Sequence, residues 1–185
     1  TPERRKAVGQ IRAKGGKAVY LQSDITDPEA MTASLEKAKA EFGRINGVIH
    51  SAIVLKDGLI ANMNEETFRA VLAPKVRGSV VLHSVFRNDP PDFMMFLSSV
   101  ESFSRDAGQG NYAAASTFED AFALHPGRKP DCPVKVVNWG FWGGVGVVAS
   151  DEYKSRMAAR GIGSITPREG TEALRRISGH AAEQV

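Results

Sequence analysis

Apolar residues along this chain recur with two alternating periods. Pro2 to Lys14 sets Ala7, Val8 and Ile11 among basic residues, the pattern of an amphipathic helix that stops at Gly15-Gly16. Lys17 to Gln22 (KAVYLQ) reads as a strand. Ser23 to Asp27 is a turn in which Asp27 supplies an N-cap and Pro28 the first helical residue. Met31, Leu35, Ala38 and Phe42 then recur at helical spacing until Gly43. Gly47 to His50 (GVIH) is a buried strand, and Ser51 to Asn62 a loop. Asn64 caps the next helix, which carries Phe68, Val71 and Leu72 on one face; Pro74 interrupts the pattern before Val80, Val81 and Val85 resume it.

A short apolar run from Phe93 to Leu97 ends in Ser98-Ser99, and a polar, glycine-containing loop follows. The next helical pattern has Tyr112 near its start and runs to Ala123. Val134 to Trp139 (VKVVNW) is a further strand, and Gly140 to Gly146 a mobile, aromatic-bearing loop. Asp151 to Arg160 and Pro167 to Ile177 are helical, separated by Gly161-Ile162-Gly163. Four strands are readable, with room for the start of a fifth at Glu183 to Val185. This alternation predicts an α/β fold, a parallel sheet with helices on both faces. A dinucleotide-binding sheet of that kind opens with a strand, a G-x-G-x-x-G turn and a helix. Here no glycine cluster follows a strand in that pattern. Gly143-Gly144-Val145-Gly146 comes nearest, far downstream and opening no helix.

Composition narrows the function classes. At 185 residues the chain is sized for one domain, with 42% apolar and 24% charged residues, ordinary globular usage. The net charge of +3 is spread without a block of like charges, which points away from nucleic acid. The single Cys132 forms no internal disulfide, in keeping with a reducing, cytoplasmic setting. No apolar run approaches ~20 residues, so neither a membrane span nor a signal peptide is expected. The four histidines lack metal-ligand spacing, and no metal is expected.

Ser98-Ser99 at a strand's carboxyl end and Tyr112 one loop later can converge on one small polar group, in the crevice where open α/β sheets hold their ligands. That spacing suggests carbonyl chemistry. Taken singly, the residues also have plainer readings. Ser98-Ser99 can cap a strand end, and Tyr112 can pack on the sheet. Lys75 can be solvated beside a helix irregularity at Pro74, and His50 can be a core histidine at a strand end.

At VIHSA, LAPKVRGS, FLSSVES, GQGNYAAAS and VVNWGFW the chain resembles the ketoreductase domain of modular polyketide synthases, a branch of the short-chain dehydrogenase/reductase superfamily. The resemblance runs from about residue 11 to 180. LKDGLIANM and STFEDAFA are closest to members from assembly lines served by free-standing acyltransferases. The resemblance implies a Rossmann-like doubly wound parallel sheet of order 3-2-1-4-5-6-7. In that register strands 1 and 2 and the glycine-rich turn are absent, so residues 1–185 are read as the C-terminal two-thirds of one such domain from a multidomain synthase. It further implies NADPH-dependent reduction of a β-ketoacyl group, held by phosphopantetheine on an acyl carrier protein, to a β-hydroxyacyl group. The partners are then that carrier protein and the other domains of the synthase, with no nucleic acid and no membrane. The complete domain is expected to be an enzyme, and the isolated chain to be inactive and to bind NADPH poorly. A catalytically silent structural domain and a free-standing short-chain reductase are the alternatives. Ser-His-Asp hydrolysis has no G-x-S-x-G elbow to support it.

Carried over by position, the family's catalytic serine falls on Ser99, its tyrosine on Tyr112 and its lysine on Lys75 in APKV. Where the family has an asparagine supporting the lysine, this chain has Ser116, which leaves a weaker relay or one completed by water. Tyr112 and Ser116, four apart, share a helix face. Reducing a ketone builds negative charge on its oxygen, which needs donors in place as the charge develops. Tyr112 would be the general acid and Ser99 the second donor, while Lys75 would ease ionisation of the phenol and hold the cofactor's ribose. Asp24, in SDITD, matches a residue touching the adenine, and reads equally well as a turn aspartate. His50-Ser51-Ala52-Ile53 stands where the family has H-A-A-G, so Ser51 and Ala52 fall beside the cofactor while Ile53 crowds a close backbone approach. Asn138, Trp139 and Gly140 match the segment beside the nicotinamide, and Trp142 either lines the substrate mouth or packs under a lid. Asp57, in Leu55-Lys56-Asp57, and Gln109 are placed at stereocontrol. Asp57 and the absence of a tryptophan at position 104 predict the D-type product.

Overall fold

The computed structural model describes residues 2–125, 132–145 and 151–185. Helix α1 (Pro2–Ala13) buries none of its side chains. Helix α2 (Pro28–Phe42) begins where Asp27 Oδ1 accepts from the backbone N–H of Glu29 (2.9 Å) and Ala30 (3.1 Å), satisfying groups that have no partner inside the helix. It stops at Gly43, whose φ of 79° a residue with a Cβ adopts only with strain. Strand β1 (Gly47–His50) leads to the long helix α3 (Glu65–Val85), capped by Asn64 Oδ1 on the Thr67 N–H (2.8 Å). Strand β2 (Phe93–Ser99), a one-turn helix α4 (Glu101–Ser104), helix α5 (Gly110–Ala123) and strand β3 (Val134–Trp139) follow. Helices α6 (Asp151–Ala159) and α7 (Pro167–Ser178) complete the order, α7 opening with a reciprocal capping box between Thr166 and Glu169.

The three strands form one parallel sheet in the order β1-β2-β3, His50 lying opposite Phe96 and Ser99 opposite Trp139. Parallel neighbours need long crossovers. Helix α3 supplies the first, and the second contains α4 and α5. Phe96 and Val136 are wholly buried on the sheet, and Leu35, Leu82, Phe86 and Ala123 from α2, α3 and α5 close over them. The expected α/β parallel architecture is therefore what the chain adopts.

Several local expectations change. Lys17–Gln22 is not a strand: it lies outside the sheet and makes no ladder. A strand exists by pairing, and here the Ala18 carbonyl is taken by Arg12 Nε (3.0 Å) and Nη2 (2.7 Å) of α1 instead. Pro74 does not break α3. The helix runs on through it, forgoing one N–H bond, and the Pro74 carbonyl is tied to His50 Nε2 at 3.1 Å. β2 continues through Ser98-Ser99, and the polar loop after it contains α4. Glu183–Val185 does pair parallel with β3, through a bridge from Gln184 to Val136 and the bond from Asn138 N to Val185 O (2.7 Å). Residue 146 of the Gly140–Gly146 loop lies outside the described residues.

The free edge of β1 faces an apolar cleft of about 450 Å³ lined by Ile25, Met31, Leu35, Ile45, Val48 and Val85. Among the described residues no helix is long and apolar enough to cross a membrane, and no cluster of His, Cys, Asp or Glu has the arrangement of a metal site.

Candidate active site

A second cleft, of about 410 Å³, opens at the carboxyl ends of the strands. Its polar groups include Ser99, Tyr112 and Gln109, and its walls are largely apolar, with Ile53, Phe141, Trp142, Tyr153 and Met157 among them. This is where a parallel sheet places its ligands.

Ser99 reaches the cleft because β2 runs two residues beyond the apolar stretch. Its Oγ accepts from the Glu101 N–H (3.2 Å), which orients the hydroxyl and leaves its hydrogen to donate elsewhere. Tyr112 is set at the opening of α5 by Asn111, which is wholly buried. Asn111 Oδ1 accepts from the Tyr112 N–H (2.8 Å), and its Nδ2 donates to the Lys56 carbonyl (2.9 Å), fastening α5 to the loop after β1. The phenol is pushed up to about 12, first by burial. The Ser99 hydroxyl pulls the other way, the Glu119 carboxylate adds to the rise, and Ser116 eases it. Ser116 Oγ is buried one turn behind the phenol, close enough to ease its rise, but no partner among the described residues lies in full hydrogen-bond geometry.

Lys75 is not a solvated lysine. It is 2% exposed, and its Nζ sits 5.8 Å from the centroid of the Tyr112 ring. That ammonium donates to the Leu97 carbonyl (3.1 Å) and to Glu119 Oε2. Glu119, 1% exposed, is pushed up to about 7 by burial, with Lys75 holding it down. Its other oxygen lies 3.4 Å from His50 Nε2. His50 is a core residue, edge-on to Phe96, and burial together with the nearby Lys75 charge lowers it to about 4, so at neutral pH it is uncharged. β1, α3 and α5 thus bury three titratable groups directly behind the proposed proton donor.

Other predicted residues divide between the cleft and its supports. Ser51, Trp139, Gly140 and Trp142 line the cleft, whereas Ala52 lines the apolar cleft at the edge of β1. Trp142 stands edge-on to Trp139, and α7 approaches it so closely that a Cβ at Gly170 would lie 1.9 Å from its ring. Asn138 turns its amide inward, donating to Ser99 O (3.2 Å), Ser102 Oγ (3.1 Å) and Asp120 Oδ2 (2.8 Å). Its side chain therefore braces β2 against α5 while the following backbone lines the cleft. Asp24 lies outside both cleft linings, at an exposed turn, where Oδ1 accepts from the Thr26 N–H and hydroxyl (both 2.8 Å). Gln109 Nε2 joins Asp57 Oδ2 (3.0 Å) to the Tyr153 hydroxyl (2.8 Å), so Asp57 is connected to the cleft lining through Gln109.

Glu119, Asn111 and Tyr153 escaped sequence reasoning. Glu119 carried a usable signal, because residues 112, 116 and 119 fall on one helix face. Tyr153 carried none, since only the docking of α6 brings it to Gln109.

The family profile described as the KR domain matches residues 1–144. Polyketide synthase PksN of Bacillus subtilis (strain 168) is 46% identical over 189 residues, which cover 98% of this chain and 3% of that protein. A crystal structure of a ketoreductase domain from the bacillaene assembly line superposes with a TM-score of 0.88 at 30% identity, covering 100% of this chain and 46% of that one. The ketoreductase from the first module of phoslactomycin biosynthesis in Streptomyces sp. HK803 gives 0.90 at 28% identity, covering 100% and 42%. The chain thus spans a small part of these synthases and less than half of the solved ketoreductases.

Proposed function

The chain belongs to the KR domain family, the ketoreductases of modular polyketide synthases within the short-chain dehydrogenase/reductase superfamily, and on that premise we propose that its cleft reduces a β-ketoacyl group. In this reading the substrate hangs from phosphopantetheine on an acyl carrier protein and leaves as the D-configured β-hydroxyacyl group. The observation that carries the reading is that Ser99 and Tyr112, from two different elements, line one cleft while Lys75, from a third, is buried against the Tyr112 ring behind it.

The substrate oxygen sits between the Ser99 and Tyr112 hydroxyls. As negative charge grows there, Ser99 donates a hydrogen bond and Tyr112 gives up its phenolic proton. A phenol near 12 parts with that proton reluctantly, and the Lys75 ammonium, 5.8 Å from the ring centroid, is the cation placed to stabilise the phenolate left behind. The aromatic walls at Phe141 and Trp142 exclude water from the reacting carbon, and Gln109, held by Asp57 and Tyr153, limits how the chain enters. NADPH, when bound, supplies the hydride.

The residues present fit the nicotinamide end of that cofactor. Ser51, Trp139 and Gly140 line the cleft, and the buried Ser98 Oγ beside them has no hydrogen-bond partner. For the pyrophosphate the chain has no glycine-rich turn after a strand. We therefore place residues 1–185 within a larger ketoreductase domain of a synthase, whose further strands would cover the free edge of β1 and its apolar cleft. Isothermal titration of the 185-residue chain with NADPH checks this placement. Binding weaker than micromolar is expected, and micromolar binding contradicts it. The function itself is tested by joining the chain to the missing strands and following NADPH oxidation with a simple β-ketothioester. Tyr112→Phe is expected to lower kcat by about 10²-fold or more. A silent structural domain is the second reading, favoured by Ser116, which among the described residues gives the Lys75 ammonium no hydrogen bond; a completed domain without turnover would establish it.

A further inference from the structure

A lysine stem has four rotatable bonds, and a buried ammonium must be compensated where it lies. Lys75 meets both demands through one residue. Glu119 Oε2 accepts its hydrogen bond from α5 while the Leu97 carbonyl accepts a second from β2. Ser116, one turn nearer the phenol on the same face, is not among the partners of the Lys75 ammonium in the described residues. We propose that Glu119 is the positioning residue for Lys75, clamping its ammonium against the Leu97 carbonyl beneath the ring of Tyr112. The clamp rests on the functional reading above only for its catalytic consequence; the contact itself does not depend on turnover.

The arrangement also makes the clamp responsive to protons. Among the described residues Glu119 Oε1 has no hydrogen bond, with His50 Nε2 3.4 Å away, so it is the carboxylate oxygen open to a proton. The titratable groups that face Glu119 are His50 from β1, Lys75 from α3, and Tyr112 and Asp120 from α5, with only the Leu97 backbone contributed by β2. His50 stays neutral near pH 7, so among the described residues Lys75 is the cation that opposes protonation of Glu119. While Glu119 is ionised it cancels the Lys75 charge and its own charge opposes ionisation of the phenol. Once it is protonated the ammonium acts on Tyr112 uncompensated. Proton donation by Tyr112 therefore strengthens as pH falls through the neutral range.

The test is carbon-13 NMR of the 185-residue chain labelled at glutamate carboxyl carbons, with the Glu119 signal assigned by its loss in Glu119→Gln. In the parent it is expected to titrate near 7. Lys75→Met should move the midpoint upward by about 1–3 pH units, the effect of removing an opposite charge at this range. Lys75→Arg, which keeps the charge, should leave it near the parent value and serves if the methionine variant does not fold. A Glu119 midpoint unmoved by Lys75→Met overturns the clamp, and a parent midpoint in the ordinary carboxylate range overturns its response to protons. In the completed domain, Glu119→Gln should flatten the pH profile of kcat around neutrality while Glu119→Asp retains it. An unchanged profile in Glu119→Gln also overturns it. Failure of the parent to reduce a ketothioester, with the NMR behaviour intact, refutes the functional reading and leaves the clamp standing.

Discussion

Replacing Glu119 by glutamine has a calculable effect on how stability depends on pH. Burial raises this carboxyl from its usual 4.5 to about 7, so between those values the folded chain holds a proton that the unfolded chain has released. Its contribution to stability is fully present below 4.5 and is lost as pH rises to about 7. At 1.36 kcal/mol per pH unit the loss amounts to about 3 kcal/mol. His50 runs the other way. Its value is lowered from 6.5 to about 4, so its contribution is full above 6.5 and disappears as pH falls toward 4. In the parent the two slopes oppose one another where the windows overlap. In Glu119→Gln the Glu119 slope is gone, and the His50 slope, which makes stability climb with pH, is no longer opposed by it. Urea unfolding followed by fluorescence of Trp139 and Trp142, from pH 4.5 to 7, yields both curves, and all other titrating groups cancel in their difference. That difference, variant minus parent, should grow by about 3 kcal/mol across the window. A constant offset between the curves would show that Glu119 does not titrate there, and the reasoning would be wrong.

Two packing predictions follow from the same geometry. Phe96→Ala empties a wholly buried position between α3 and the sheet and should cost about 3–5 kcal/mol in urea unfolding, with the secondary structure retained by circular dichroism. Gly170→Ala puts a methyl group 1.9 Å from the Trp142 ring, so α7 or the indole must shift; a cost of about 1–3 kcal/mol and a changed tryptophan emission are expected, and unchanged emission would contradict the close approach.

Helix ends were the most legible feature of the sequence because their causes are local. Asp27-Pro28 and Gly43 bound α2, and Asn64 opens α3, all within a few residues of the bonds they make. Lys17–Gln22 shows the converse. Its residues have the composition of a strand, yet pairing depends on a neighbour, and α1 takes the Ala18 carbonyl instead. The cleft was legible as far as Ser99 and Tyr112, since strand-end and helix-start positions can be read from pattern. The state of Lys75 was not. A lysine beside a proline looks solvated until α5 places Glu119 against it, a contact 44 residues away. Asn138 could be placed on β3 from the pattern but the direction of its side chain could not, because that direction is decided by Ser102 and Asp120 on other elements.

The account stands or falls on hydride delivery to a ketone whose oxygen lies between Ser99 and Tyr112. The direct measurement is reduction of a β-ketoacyl thioester by the completed domain with NADPH carrying deuterium at the nicotinamide C4, followed by mass and chiral analysis of the product. The account predicts deuterium at the carbinol carbon, predominantly of the D-alcohol, and its loss in Tyr112→Phe. Recovery of unreduced ketone, or label incorporation that persists in Tyr112→Phe, would contradict it.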